Sequence, residues 1–189
     1  MHERRGDWQL ADGHYLGALA LGADRATVQA DRSRVAWRQG HTDKARTLGF
    51  EALELAEQAD AQAAAAQAHN ILGLLGCGRE HLELSLELSA RQPEPSVRIA
   101  ALNNLALDHA ACGELDQAEA LTRQALELCV ARGDRHHEAA LRNNLADVLH
   151  RAGRNEGAIE ELKRAVTAFA AIGSEGDALY PGVWTLVEW

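Results

Sequence analysis

The sequence predicts an all-α fold, a solenoid of antiparallel helix pairs, and two observations carry that prediction. The 189 residues are 47% hydrophobic with only three prolines and two phenylalanines, and Ala, Leu, Glu and Arg dominate, a composition suited to closely packed helices and poor in strand formers. The chain also repeats itself. His69-Asn70-Ile71-Leu72-Gly73, Leu102-Asn103-Asn104-Leu105-Ala106 and Arg142-Asn143-Asn144-Leu145-Ala146 align, their first asparagines 33 and 40 residues apart. Gly6, Gly40, Gly113 and Gly153 are each followed by alanines five and twelve residues on, in Ala11 and Ala18, Ala45 and Ala52, Ala118 and Ala125, Ala158 and Ala165. Glycine ends one helix in a left-handed conformation, and alanine at helix crossings lets two backbones approach closely.

The register assigns the elements in order over a single array, 1–189. Residues 1–22 read as a lone second helix, from about Asp7 to Leu21, whose Trp8, Tyr15, Leu16 and Leu19 lack a covering neighbour; either the chain is a piece of a larger one, or a second copy covers the gap as a homo-oligomer. Helix pairs then occupy 23–60 (helices 24–39 and 42–59), 61–92 (61–76 and 79–90), 93–133 (96–112 and 115–132) and 134–173 (135–152 and 155–172). Pro181 is placed to start a closing helix within 174–189, with Val183, Trp184, Leu186 and Val187 covering the last repeat. In the last full helix Ala158, Leu162, Ala165, Phe169 and Ile172 share one face, while Glu160, Glu161, Lys163 and Arg164 read as the solvated side, with Glu160 and Arg164 an i, i+4 pair. The second pair is seven residues short, about two helical turns, which predicts a shortened helix and a tighter Gly76-Cys77-Gly78 turn.

Several function classes lose support at this level. A formal net charge of -9 argues against a broad electrostatic footprint for nucleic acid or an anionic membrane. No apolar run approaches the ~20 residues of a membrane span, and the N-terminus has no signal-type apolar core, so a soluble, cytoplasmic protein is expected. Cys77, Cys112 and Cys129 are odd in number and lie in apolar helical stretches, as small buried residues in a reducing compartment do. There is no GxxxxGK[ST] loop, no GxSxG turn, no HExxH pair and no CxxC. His109 and Cys112 stand three apart on a helix, but two ligands do not make a metal site, and adjacent His136 and His137 point to different faces. No enzyme activity, metal or cofactor is expected.

Over essentially its whole length the chain resembles tetratricopeptide-repeat (TPR) proteins. The doubled asparagine of Leu102-Asn103-Asn104-Leu105-Ala106 is most similar to the roughly 40-residue subtype of kinesin light chains and of bacterial signalling ATPases and regulators. The tail Gly182-Val183-Trp184-Thr185-Leu186-Val187-Glu188-Trp189 resembles the closing helix of bacterial multidomain proteins that carry such repeats. The resemblance implies a right-handed TPR superhelix in which the first helix of each pair lines a concave groove. The register then puts Asn70, Asn103 and Asn143 at one inward position, with Asn104 and Asn144 beside them and Leu107 and Asp147 one turn on. Arg34, Trp37 and Arg38 occupy the inward face of the first full pair, and Arg151 extends the line at the last.

An asparagine amide both donates and accepts, so it can pair with the backbone of an extended peptide whatever its sequence; the resemblance implies that role for Asn70, Asn103 and Asn143. The same amides could instead bond between adjacent helices, fixing repeat to repeat. Arg34, Arg38 and Arg151 are suited to acidic groups of a ligand, and Trp37 either anchors an apolar residue or packs. The expected function is a protein-protein interaction module binding a peptide segment of a partner. The alternatives are a regulatory or oligomerisation domain of a larger bacterial signalling ATPase or transcription regulator, and an intracellular receptor for a signalling peptide.

Overall fold

The structure, a computed structural model, describes residues 13–15, 17–18 and 23–174. The expected lone helix, apart from five helical residues within 13–18, and the expected closing helix after Ser174 lie outside the described residues. Among the described residues there is no strand. From Arg25 onward eight helices follow one another: α1 Arg25–Arg38, α2 Thr42–Ala59, α3 Gln62–Leu74, α4 Arg79–Ser89, α5 Ser96–Ala111, α6 Leu115–Arg132, α7 Arg135–Arg151 and α8 Asn155–Ser174.

Local chemistry sets their ends. The Asp24 side chain accepts from Thr27 N–H at 2.8 Å and caps α1, satisfying one of the donors that a helix start leaves open. Asp134 does the same for α7 through His137. Inside each pair the turn places a glycine at positive φ, 78° at Gly40, 72° at Gly76, 81° at Gly113 and 76° at Gly153. L-residues rarely adopt that conformation, which is why glycine recurs there.

The chain divides into two compact units, residues 1–101 and 102–189, the division falling within α5. In the first, α1 packs on α2 and α3, α2 on α3, and α3 on α4. Its interior is built from alanine layers with one residue from each of three helices: Ala26, Ala56 and Ala64 in one, Ala30, Ala52 and Ala68 in the next. Alanine forfeits little side-chain entropy in a helix and keeps the axes close. Where the approach is tightest, small hydroxyls are satisfied by backbone: Ser33 Oγ donates to Ala45 O and Ser85 Oγ to Ala66 O, each at 2.7 Å. In the second unit α7 packs on α6 and α8. Val148 meets Ala110 and Ala118 there, and Leu145 and Leu149 meet Ala158.

The second pair contains the shortened helix that the spacing predicts, but not the tighter turn. Helix α4 has 11 residues against 18 in α2 and 18 in α6, and α3 ends four residues after Asn70, whereas α5 and α7 run eight past Asn103 and Asn143. The turn between them is longer, not tighter. Residues 75–78 connect α3 to α4 where 39–41, 112–114 and 152–154 suffice elsewhere, and Gly78 at φ 128° takes up the extra residue. The missing residues come from the helices themselves.

Three surface expectations are also corrected. Glu161, read as solvated, is 6% exposed and bonds Arg142 at 2.8 Å and Arg164 at 3.0 Å. The expected Glu160–Arg164 pair is present at 3.2 Å. Of the three cysteines only Cys129 is buried, while Cys77 is half-buried and Cys112 exposed.

Candidate partner-binding surface

The residues singled out from the sequence fall into both units. In the first, Asn70 is 6% exposed, in the interior rather than on an open face. Arg34 Nη2 binds Asp31 at 2.8 Å, and the same carboxylate oxygen accepts from Gln67 of α3 at 2.6 Å. Trp37 packs on the Ala36, Ala45 and Leu48 cluster, and the exposed Arg38 guanidinium lies 5.7 Å from its ring centroid, within cation–π range. Trp37 is therefore a packing residue here, and Asp31 draws Arg34 into the surface linking α1 to α3.

In the second unit α5 and α7 bring the asparagine row together. Asn144 Nδ2 donates to Asn103 Oδ1 at 2.8 Å, and Asn103 Nδ2 lies 3.4 Å from Asn104 Oδ1. The second asparagine of one repeat thus reaches back to the first asparagine of the repeat before it, and this gives the doubling a structural reason. Asn143 stands apart, because its Oδ1 is enclosed and receives no hydrogen bond. One turn along, Leu107 is 42% exposed and Asp147 is half-buried, 3.8 Å from Arg151 Nη1. Arg151 Nη2 donates to Ala110 O at 2.6 Å, serving a carbonyl in the last turn of α5, where a helix runs out of its own donors.

Charge around this surface is largely internal. Arg142 joins Glu138 and Glu161, each at 2.8 Å; burial works against its charge, but the two carboxylates hold its pKa above the ordinary value. Arg154 binds Asp116 and Glu119 from the α7–α8 turn. His109 pairs with Glu114 across the α5–α6 turn, and His150 with Asn155 at 3.0 Å across the next. The Arg142–Glu161 pair was not anticipated, although a charge at Arg142, where the aligned motif carries Leu102, is its signal in the sequence. Among the described residues, no cluster of three or more His, Cys, Asp or Glu side chains is placed to hold a metal ion, and no helix is long and apolar enough to cross a membrane.

Comparison with known proteins agrees with this architecture. Residues 97–171 match the tetratricopeptide repeat (TPR) family model, and the all-helical fold is that of TPR structures. No curated protein matches it. Among solved structures it is similar to BtubC (BKLC) from P. vanneervenii, at 19% identity and TM-score 0.67, covering 100% of this chain and 83% of that one. It is similar also to kinesin light chain-like, nearly identical TPR-like repeats of Podosopora anserina, at 18% identity and TM-score 0.60, covering 92% of each chain. MamA matches at 15% identity and TM-score 0.59, over 92% of this chain and 95% of that one. Likeness at these identities is a likeness of fold, and TPR repeats generally mediate protein–protein interaction.

Proposed function

We propose that this chain, as one array over 1–189 without catalytic activity of its own, holds a peptide segment of a partner protein against the face shared by α5 and α7. The observation that carries the reading is Asn143. A buried acceptor without a donor costs ~1–3 kcal/mol relative to a satisfied one, and folded proteins leave few of them. On binding, the enclosed Asn143 carboxamide turns outward and the backbone N–H of the peptide supplies the missing donor, with Leu107 exposed one turn along from Asn103 to meet an apolar side chain of the same segment. Asn103 and Asn144 are engaged with each other, so their part is to hold the two helices in register beneath the ligand.

The test uses the whole chain. Binders are selected from a random peptide display library and their affinity is measured by calorimetry against the wild type, Asn143→Ala and Leu107→Ala. Either substitution is expected to weaken binding at least about tenfold, corresponding to one lost buried hydrogen bond or apolar contact, with helicity unchanged by circular dichroism. Equal affinity for all three proteins, or no selectable binder, overturns the reading.

A further inference from the structure

The hairpin of α3 and α4 contains a contact that the proposed function does not use. His69 in α3 and His81 in α4 face each other with their Nδ1 atoms 2.7 Å apart and their ring centroids 5.0 Å apart. A neutral imidazole has one donor and one acceptor nitrogen, so at this separation one Nδ1 carries a proton and the other accepts it. One proton added to the neutral pair gives an imidazolium that still donates its Nδ1–H to the other ring; a further proton makes both rings cations with N–H groups face to face at hydrogen-bond distance, a repulsion that the half-buried setting of both rings does little to screen.

Helix α4 depends on this contact more than its neighbours would. It has 11 residues, short enough to be marginal alone, and it buries only Leu82, Ser85 and Ser89. The groups facing the pair offer no compensating anion in contact. From α2 the Phe50 ring meets His81 edge-on, centroids 6.2 Å apart. Glu57 of α2 and Asp60, the residue just after that helix, line a cavity of about 470 Å³ with His69, but no ion pair joins either imidazole to a carboxylate among the described residues. From α1 the nearest acid on the α3 side, Asp31, is taken by Gln67 and Arg34. On α4 itself the Glu80 carboxylate folds over Gly78.

We propose that His69 and His81 form an acid-sensitive latch, which fastens the short α4 to α3 while the rings share one proton and releases it when both are cationic. Burial, and then the neighbouring His81, lower the pKa of His69 below its ordinary 6.5. The unfolded chain therefore takes up this proton at a higher pH than the folded one. The latch's contribution is complete above the ordinary histidine value and is lost as pH falls through it toward the lowered value.

Hydrogen exchange on the whole chain between about pH 7.5 and about pH 5, the range in which histidine changes charge, tests this. After correction for intrinsic exchange, amides of residues 79–89 are expected to lose protection several-fold relative to those of α7. Asn at position 81 cannot take up the second charge, so His81→Asn is expected to abolish that difference. Parallel behaviour of α4 and α7 in the wild type overturns the latch, as does an undiminished pH response in a folded His81→Asn. Should that variant fail to fold, NMR titration of the wild-type rings decides: coupled steps, with one ring well below the ordinary value, are expected, and two independent titrations at the ordinary value overturn it.

Discussion

Asn144 of α7 donates its side-chain amide to the carboxamide oxygen of Asn103 in α5 at 2.8 Å, across 41 residues of sequence. Two members of the aligned asparagine row are thus partners of one another, while a third, Asn143, keeps an oxygen without a donor. One row of like residues therefore contains a structural element and a vacant acceptor side by side.

The two roles separate on mutation. Asn144→Ala removes the donor and strands Asn103 Oδ1, an expected loss of ~1–2 kcal/mol, whereas Asn143→Ala removes an acceptor that is already unsatisfied and is expected to change stability by less than ~0.5 kcal/mol. Chemical denaturation of the two variants checks this, and equal losses would mean that Asn143 is bonded within the fold.

Glu161 and Glu160 are adjacent acids with opposite expectations. Glu161→Ala takes a carboxylate from between Arg142 and Arg164, and is expected to cost ~3 kcal/mol because it leaves a partly buried guanidinium with Glu138 alone. Glu160→Ala breaks only a surface pair at 3.2 Å, worth less than ~0.5 kcal/mol. Thermal melts of both variants should rank them in that order.

Gly73 lies inside α3, where a glycine ordinarily weakens a helix by ~1 kcal/mol relative to alanine. A Cβ there would run into the Leu82 side chain and come within 3.3 Å of the Leu82 backbone nitrogen. Gly73→Ala is accordingly expected to destabilise by a net ~1–2 kcal/mol through overpacking. Gly157→Ala, whose Cβ would meet only Leu149 at 3.5 Å, is expected to stabilise by up to ~1 kcal/mol. The sign difference is readable by denaturant titration.

The cysteines divide by reactivity. Burial, with Asp134 and Glu138 nearby, pushes the Cys129 thiol up to about 12, so almost none of it is thiolate, the reactive form. Exposed Cys112 is expected to be labelled by a disulfide reagent at about pH 8 within minutes, and Cys129 only after denaturation. Mass spectrometry of the labelled native chain distinguishes the two, and labelled native Cys129 would show that α6 opens locally.

Helical class, repeat and TPR kinship were all legible in the sequence, because glycine breaks and alanine crossings are local requirements that recur wherever a helix turns back on its neighbour. Gly40, Gly113 and Gly153 at positive φ, and Ala45, Ala52, Ala118, Ala158 and Ala165 fully buried, show that reading at single residues. The candidate surface was legible only as a set of positions. Whether Asn103 faces a ligand or Asn144, whether Arg151 meets a carboxylate or the Ala110 carbonyl, and whether Trp37 anchors or packs depend on which side chain a neighbouring helix brings within about 3 Å.

By itself, then, the sequence determined the repeating unit and the residues that let helices pack. Only the tertiary structure decided the pairing: Glu161 with Arg142, His69 with His81, and Asn144 with Asn103. Periodicity places a residue on a face of its own helix, but a hydrogen bond between helices depends on the axial offset of two backbones. That offset follows from how far small residues such as Gly73 and Ala66 allow the backbones to approach.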